Sequence, residues 1–325
     1  VRLVRGADLV HLVGGPSLGA LATSVGLGKP TLVHHHTYQA ACPNGLLLYG
    51  PLRERCPGWF QQGRYDKCMA CAVGTDGLAR RAQQLAAAGP RRALLGRVDR
   101  NLPVTDHVLG RLALPRSQVM YPGVPDAPVV RLGATARPFT AAYVGRLVAE
   151  KGLPVLVDAA AMLTRTVEVI VVGDGPERGA LEARARQAGA ENVHFLGVKR
   201  GPALEEALAG VSALVIPSVW EETACLAALE QMVRGRALVV SDIGGLAEVV
   251  GDAGLKFPPG DAPALAAALR RLAHHPDEVG TLGERGRARA ERLFLTERLT
   301  LDHLALYAQV AGERRRARGR LPPPA

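Results

Sequence analysis

Aromatic residues are scarce in this chain: phenylalanine, tryptophan and tyrosine make up 4% of its 325 residues. Its cores must therefore be built from alanine, leucine and valine. The ring platforms on which proteins stack single-stranded nucleic acid are correspondingly few. With no nucleic-acid motif present, this argues against a nucleic-acid partner even at a net charge of +10. No apolar run reaches the ~20 residues that span a bilayer. The opening Val1-Arg2-Leu3-Val4-Arg5-Gly6 has neither the apolar centre nor the cleavage pattern of a signal peptide. A cytoplasmic location is the expectation. Basic charge gives a second one, peripheral contact with an anionic membrane at its inner face. The basic run Arg314 to Arg320, followed by Pro322-Pro323-Pro324, reads as a disordered, solvated tail over 312–325.

Hydrophobic residues make up 48% of the chain, enough for two domains. They fall in short runs separated by turn residues. Asp8 to Val13 reads as a strand, Leu18 to Val25 as a helix and Thr31 to Val33 as a parallel strand. Thr75 to Gly96 reads as a helix broken at Pro90. A strand follows at Leu102 to Thr105, a helix at Asp106 to Leu112 and a closing strand at Gln118 to Tyr121. Asp126 to Pro138 reads as a linker. Strand, turn and helix then recur from Phe139 onward, with strands at Phe139 to Val144, Glu168 to Val172, Asn192 to Leu196, Ala213 to Ile216 and Ala237 to Val240. This is the pattern of a doubly wound parallel sheet. The expected divisions are a first domain over 1–130 and a second over 131–295. A helix over 296–311 would pack back on the first domain, ahead of the tail.

Two turns carry charge where such sheets bind ligands. After Val144 come Gly145, Arg146 and, at a helix entrance, Lys151: two cations and a helix N-terminus facing one point, suited to a diphosphate. After Ile216 come Glu222 and, eight positions on, Glu230. Were all of these positions helical, the two carboxylates would stand roughly 80° apart. Glu222 therefore reads as a loop residue and Glu230 as a helix residue two turns in. The N–H groups of Ala224, Cys225 and Leu226 would then be free first-turn donors. That arrangement suits a nucleotide sugar, with the sugar near Glu222 and the ribose near Glu230. In the first half, His34-His35-His36 ends a strand, but neighbouring strand residues point to opposite faces, so at most two of them reach one ion. Four of the five cysteines, Cys42, Cys56, Cys68 and Cys71, crowd one loop. A single C-x2-C pair there leaves a structural zinc, free thiols and a disulfide all open.

The stretch Pro-Ser-x-Trp-Glu-Glu-x7-Glu, then Gly-Arg before a strand and Ser-Asp-x-Gly-Gly-x-x-Glu, resembles the E-x7-E region of family 4 glycosyltransferases. These are retaining enzymes of the GT-B fold, two Rossmann-like doubly wound domains facing a cleft. Gly145-Arg146 and Lys151-Gly152 match the family's diphosphate-binding pattern, and the backbone at Val198 matches its base contact. His36, six residues before Cys42-Pro43, matches a histidine that faces the donor sugar, although Thr37 replaces the usual Asp. Pro122 replaces the family's Asn ahead of Gly-Val. The resemblance implies transfer of a sugar from a nucleoside-diphosphate sugar to an unidentified glycan, glycolipid or small-molecule acceptor, with no metal needed for catalysis. Family members commonly begin with a strand and a Gly-rich loop ahead of the strand at Asp8. Their absence here implies a loosened first domain and leaves a truncated or non-catalytic nucleotide-sugar-binding relative as the alternative.

Overall fold

The computed structural model describes residues 2–50, 54–71, 77–130, 139–163 and 166–317. The expected helix start at Thr75, most of the linker (131–138) and the tail beyond 317 lie outside these. The chain forms two compact units, Val1–Gly123 with Thr296–Ala325, and Val124–Leu295. The boundary falls before the position read from the sequence because Val124 bridges Leu295 and its N–H donates to the Phe294 carbonyl at 2.8 Å.

In the first unit, α1 (Arg2–Gly6) precedes β1 (Val10–Val13), α2 (Leu18–Gly26) and β2 (Thr31–His35). Ser17 caps α2, its hydroxyl accepting the Ala20 N–H. A small hairpin of β3 (Leu48–Tyr49) and β4 (Glu54–Arg55) and a short helix α3 (Tyr65–Ala70) make up the cysteine loop. Then come α4 (Leu78–Leu95), β5 (Arg100–Pro103) and α5 (Asp106–Leu112), the last capped by Thr105. The sheet is parallel in the order β1-β2-β5. Two expectations change. Helix α4 runs unbroken through Pro90: proline removes one rung, while Ala88 and Leu95 on either side are buried. Gln118 to Tyr121 is not a strand. Asn101 donates to Arg116 and accepts from Gln118, and Pro103 accepts from Met120. The return bond to the Gln118 carbonyl needs an N–H at Pro103, which proline lacks, so pairing stops at the single bridge Asn101–Ser117.

The second unit is a six-stranded parallel sheet in the order β11-β10-β9-β6-β7-β8. Its elements are β6 (Phe139–Val144), α6 (Leu153–Ala161), β7 (Val167–Val172), α7 (Arg178–Gln187), β8 (Val193–Gly197) and α8 (Pro202–Ala207). They continue with β9 (Ala213–Ile216), α9 (Leu226–Val233), β10 (Ala237–Ser241), α10 (Gly244–Val250) and β11 (Leu255–Phe257). Helices α11 (Ala262–His274) and α12 (Pro276–Leu293) complete it. Strands β9 and β10 are buried throughout, as continuous apolar runs in a sheet covered on both faces must be. Reading from β8, the strand order is that of a dinucleotide-binding sheet, and it reverses between β6 and β9.

The last helix, α13 (Thr296–Ala317), belongs to the first unit, where Leu306 and Val310 share a core with Leu32, Leu102 and Met120. It continues through 312–317, where a disordered tail was expected. Glu313 pairs with Arg100 at 2.7 Å, and Arg314 holds both oxygens of Asp99 at 2.6 and 2.9 Å. These ion pairs hold the Arg-rich end in helical register.

Candidate functional site

In the second unit the loops after β6, β9 and β10 converge at the point where the strand order reverses. Their convergence depends on glycines. A Cβ at Gly152 would sit 2.0 Å from the Pro217 carbonyl oxygen, which brings the turn after β6 against the loop after β9. The Val219 N–H donates to the Glu150 carbonyl across the same contact. A Cβ at Gly244 would lie 2.8 Å from the Glu222 carbonyl oxygen, and the Gly245 N–H donates to that oxygen at 2.7 Å. The Ser-Asp-x-Gly-Gly turn thus grips the backbone of Glu222. Gly173 approaches the Gly145 carbonyl in the same way, so the Gly-x-Gly-Pro turn after β7 is also a close-approach site.

Glu222 is buried, and its carboxylate accepts from Lys151 Nζ at 2.7 Å and from the Ser218 hydroxyl. The two charged side chains are only 17% and 6% exposed, so this is an interior ion pair with a supporting hydrogen bond. Lys151 is therefore not the free cation that the sequence suggested. Arg146 is. Its side chain is 73% exposed, and its guanidinium makes one long contact, 3.8 Å to Glu150. The Arg146 backbone is fixed by Tyr143, whose hydroxyl donates to its carbonyl at 2.8 Å. Burial, then the Glu222 charge, pushes the Tyr143 phenol upward, so it remains a donor.

Glu222 lies in the loop ahead of α9 and Glu230 in the second turn of that helix. Cys225 is the cap of α9, held at φ 65°, a left-handed conformation costly for a side-chain-bearing residue. The helix thus begins at Leu226, and Ala224 stands outside its first turn, a correction to the expected donor set. Burial and the Glu222 charge push the Cys225 thiol up to about 12, which keeps it protonated. Glu230 is exposed by area, yet desolvation raises its carboxyl pKa, with Arg234 opposing and Glu205 adding. Val198 follows β8 with its side chain 56% exposed. Arg236, of the Gly-Arg pair, is fully buried and donates to the Leu208 carbonyl, a structural role.

In the first unit, His35 turns to one face of the sheet and contacts Asn101 Oδ1 at 2.9 Å. His34 and His36 lie on the other, with rings 4.5 Å apart. Cys42, Cys56, Cys68 and Cys71 are free thiols and line one cavity with Asn44, Trp59, Lys67 and Arg81. Cys71 accepts the Gly50 N–H at 3.4 Å, and backbone N–H groups of Asn44, Gly45 and Leu47 reach Cys42. Burial and neighbouring thiols raise Cys68 to about 12. The sequence reading missed Ser218, whose partner is set by a turn, and His11 and His303, which come together only in the tertiary fold.

This arrangement places charged loops at the reversal point of a Rossmann-like sheet, where open parallel sheets bind ligands. Residues 138–275 match the family described as Glycosyl transferases group 1. The chain is 33% identical over 156 residues to D-rhamnosyltransferase WbpZ of Pseudomonas aeruginosa, covering 47% of this chain and 40% of that protein. It is 33% identical over 184 residues to 2-deoxystreptamine glucosyltransferase of Streptomyces kanamyceticus, covering 53% and 46% respectively. It spans about half the length of these curated relatives. Among solved structures, sucrose-phosphate synthase from Thermosynechococcus elongatus aligns with a TM-score of 0.71 at 23% identity, over 95% of this chain and 75% of that one. HepE from Anabaena, solved with UDP-glucose, aligns with a TM-score of 0.69 at 17% identity, over 95% and 81%. These solved structures show that the fold is GT-B.

Proposed function

We propose that the protein is a retaining glycosyltransferase that moves a sugar from a nucleoside-diphosphate sugar to a glycan, glycolipid or small-molecule acceptor. The observation that carries this reading is the meeting of the Arg146, Lys151 and Glu222 loops at the reversal point of the sheet. Arg146 would hold the diphosphate, and Lys151 would turn part of its charge from Glu222 toward it as negative charge builds on the leaving group. Glu222 would orient the donor sugar. The α9 amides from Cys225 and Leu226 onward, together with Gly145, would face the diphosphate. Glu230 would accept from the ribose and the backbone at Val198 would meet the base. His36 enters from the family resemblance alone, as the group facing the donor sugar. No metal is proposed for the chemistry, since Arg146 and Lys151 would supply the positive charge one would bring. A nucleotide-sugar donor favours the cytoplasm, and the basic surface favours the inner face of an anionic membrane. No helix among the described residues is long and apolar enough to cross a membrane.

We also propose that the four cysteines take one structural zinc. Their shared cavity and the N–H groups aimed at Cys42 and Cys71 support this, since such bonds stabilise thiolate ligands. Loss of about one equivalent of zinc in Cys68→Ser relative to the parent chain is expected by elemental analysis. Four rapidly titrating thiols without metal would refute it.

The function is tested by screening nucleotide sugars for a thermal shift and then assaying the best one for hydrolysis. Stabilisation with turnover is expected. Stabilisation without turnover would favour the non-catalytic relative, and no stabilisation by any nucleotide would overturn both readings.

A further inference from the structure

Three histidines of the first unit meet between its sheet and its last helix. His11 lies on β1, His34 on β2 and His303 on α13, and each brings one metal-ligating nitrogen within 4.8 Å of the others. The His11 and His34 rings stack at 5.9 Å, and the His303 ring lies 5.1 Å from the first and 5.5 Å from the second. Among the described residues, no three of the four thiols come as close.

The hydrogen bonds fix which nitrogen of each ring is available. His34 Nε2 faces the Met120 carbonyl at 3.1 Å and His303 Nδ1 the Leu299 carbonyl at 2.9 Å. A carbonyl only accepts, so those nitrogens carry the protons, and His34 Nδ1 and His303 Nε2 are left as lone pairs. His11 Nδ1 contacts the Tyr307 hydroxyl at 2.7 Å. When it donates there, Nε2 becomes the third lone pair. His11 Nε2 and His303 Nε2 are buried with no hydrogen-bond partner, an arrangement that costs free energy unless something else occupies the space.

We propose that His11, His34 and His303 form a three-imidazole site for a divalent cation of the zinc class, and that the cation fastens α13 to β1 and β2. An all-imidazole set favours zinc, cobalt, nickel or copper over magnesium and calcium. Tyr307, Met120 and Leu299 act as the outer oxygen shell that orients metal-bound histidines. At Zn–N distances of about 2.0–2.1 Å, tetrahedral ligand nitrogens stand roughly 3.4 Å apart, so modest side-chain rotation would close the shell. A fourth position remains for water or for His36, whose ring is 4.5 Å from that of His34.

The test is titration of the full chain with cobalt(II) and zinc(II), followed by visible absorption and thermal unfolding. Imidazole-bound cobalt gives d–d bands without the sulfur-to-cobalt charge transfer of a thiolate site. His303→Gln should remove one equivalent of bound metal and reduce the zinc-dependent rise in melting temperature. Tyr307→Phe, which keeps the ring, should weaken metal binding about tenfold. Should His303→Gln fail to fold by circular dichroism, the Tyr307→Phe comparison decides. The proposal is overturned if the chain binds no metal, if every cobalt band is a thiolate band, or if the variants bind as the parent does.

Discussion

The two units enclose parallel sheets in opposite ways. The second buries apolar strands on both faces and places its charged groups beyond the strand ends, where glycine contacts bring the loops together. The parallel sheet of the first has three strands among the described residues, and two of its buried strand residues are His34 and His35, each needing a partner inside the core. Fold and chemistry are thus separable in the second unit and share the same residues in the first. Changes at loop tips of the second unit should act on binding, whereas changes in the first unit's strands should act on folding and ligand chemistry together.

The sharpest way to break this contrast is Lys151→Ala, which touches a loop and yet leaves Glu222 charged and buried. It should destabilise the second unit by about 3–5 kcal/mol. The two tryptophans, Trp59 in the first unit and Trp220 in the second, allow each unit to be followed by fluorescence in single-tryptophan variants. Early denaturation at Trp220 with Trp59 unchanged is expected, and simultaneous loss at both would show one cooperative body. Next in size, Arg146→Ala should weaken nucleoside-diphosphate binding by about 1.5–3 kcal/mol, the scale of a charge-assisted hydrogen bond. It should leave stability alone, because the side chain is exposed. Calorimetry showing unchanged affinity would remove the diphosphate from this loop.

Hydrogen exchange sharpens the comparison on a smaller scale. Among the described residues β1 pairs on one side only, with β2, while β6 pairs with both β7 and β9. Amides of β1 should exchange at least tenfold faster than those of β6, about 1.4 kcal/mol less protected. Equal protection would mean that the smaller sheet is no weaker than the larger. Smallest is Glu230→Ala, expected to weaken binding of the bare nucleotide by about 1 kcal/mol, while Glu222→Gln spares that binding and lowers turnover of the sugar donor. Binding through Glu230 has a pH signature. An ionised carboxylate would accept from the ribose hydroxyls, so affinity should fall on acidification. Because its pKa is raised, the fall should begin above the ordinary 4.5. Loss of bare-nucleotide binding in Glu222→Gln would reverse the two roles.

The second unit was largely legible in the sequence. Fully buried parallel strands appear as unbroken apolar runs, and Phe139–Val144 and Ala213–Ile216 have the bounds read from sequence. The placement of Glu222 ahead of a helix and Glu230 within it could also be read, because turn residues and helix period are local signals. What could not be read is pairwise and distant. Nothing local says that Lys151 reaches Glu222, 71 positions away, or that Glu313 and Arg314 find Arg100 and Asp99 and keep α13 helical. The missing strand at Gln118 to Tyr121 fails because of a proline on its neighbour, not in its own sequence. The three consecutive histidines drew attention to the wrong trio: strand alternation excluded it, and the trio that meets takes one residue from each of three elements.

The glycine contacts around Glu222 also bear on how the site can be re-engineered. Gly145, Gly152, Gly173, Gly175 and Gly244 each have another residue within 3 Å of where a Cβ would stand, and at all but Gly145 the nearest atom is backbone oxygen. A combinatorial library randomised at these positions would consist mostly of misassembled loops, whatever chemistry the new side chains offered. Diversity belongs instead at Arg146, Val198 and Leu226, whose side chains are exposed and whose replacement leaves the backbone lattice untouched. The frame therefore behaves as a fixed chassis with a few exchangeable fittings, and a search for new ligand preference can be confined to those fittings from the outset.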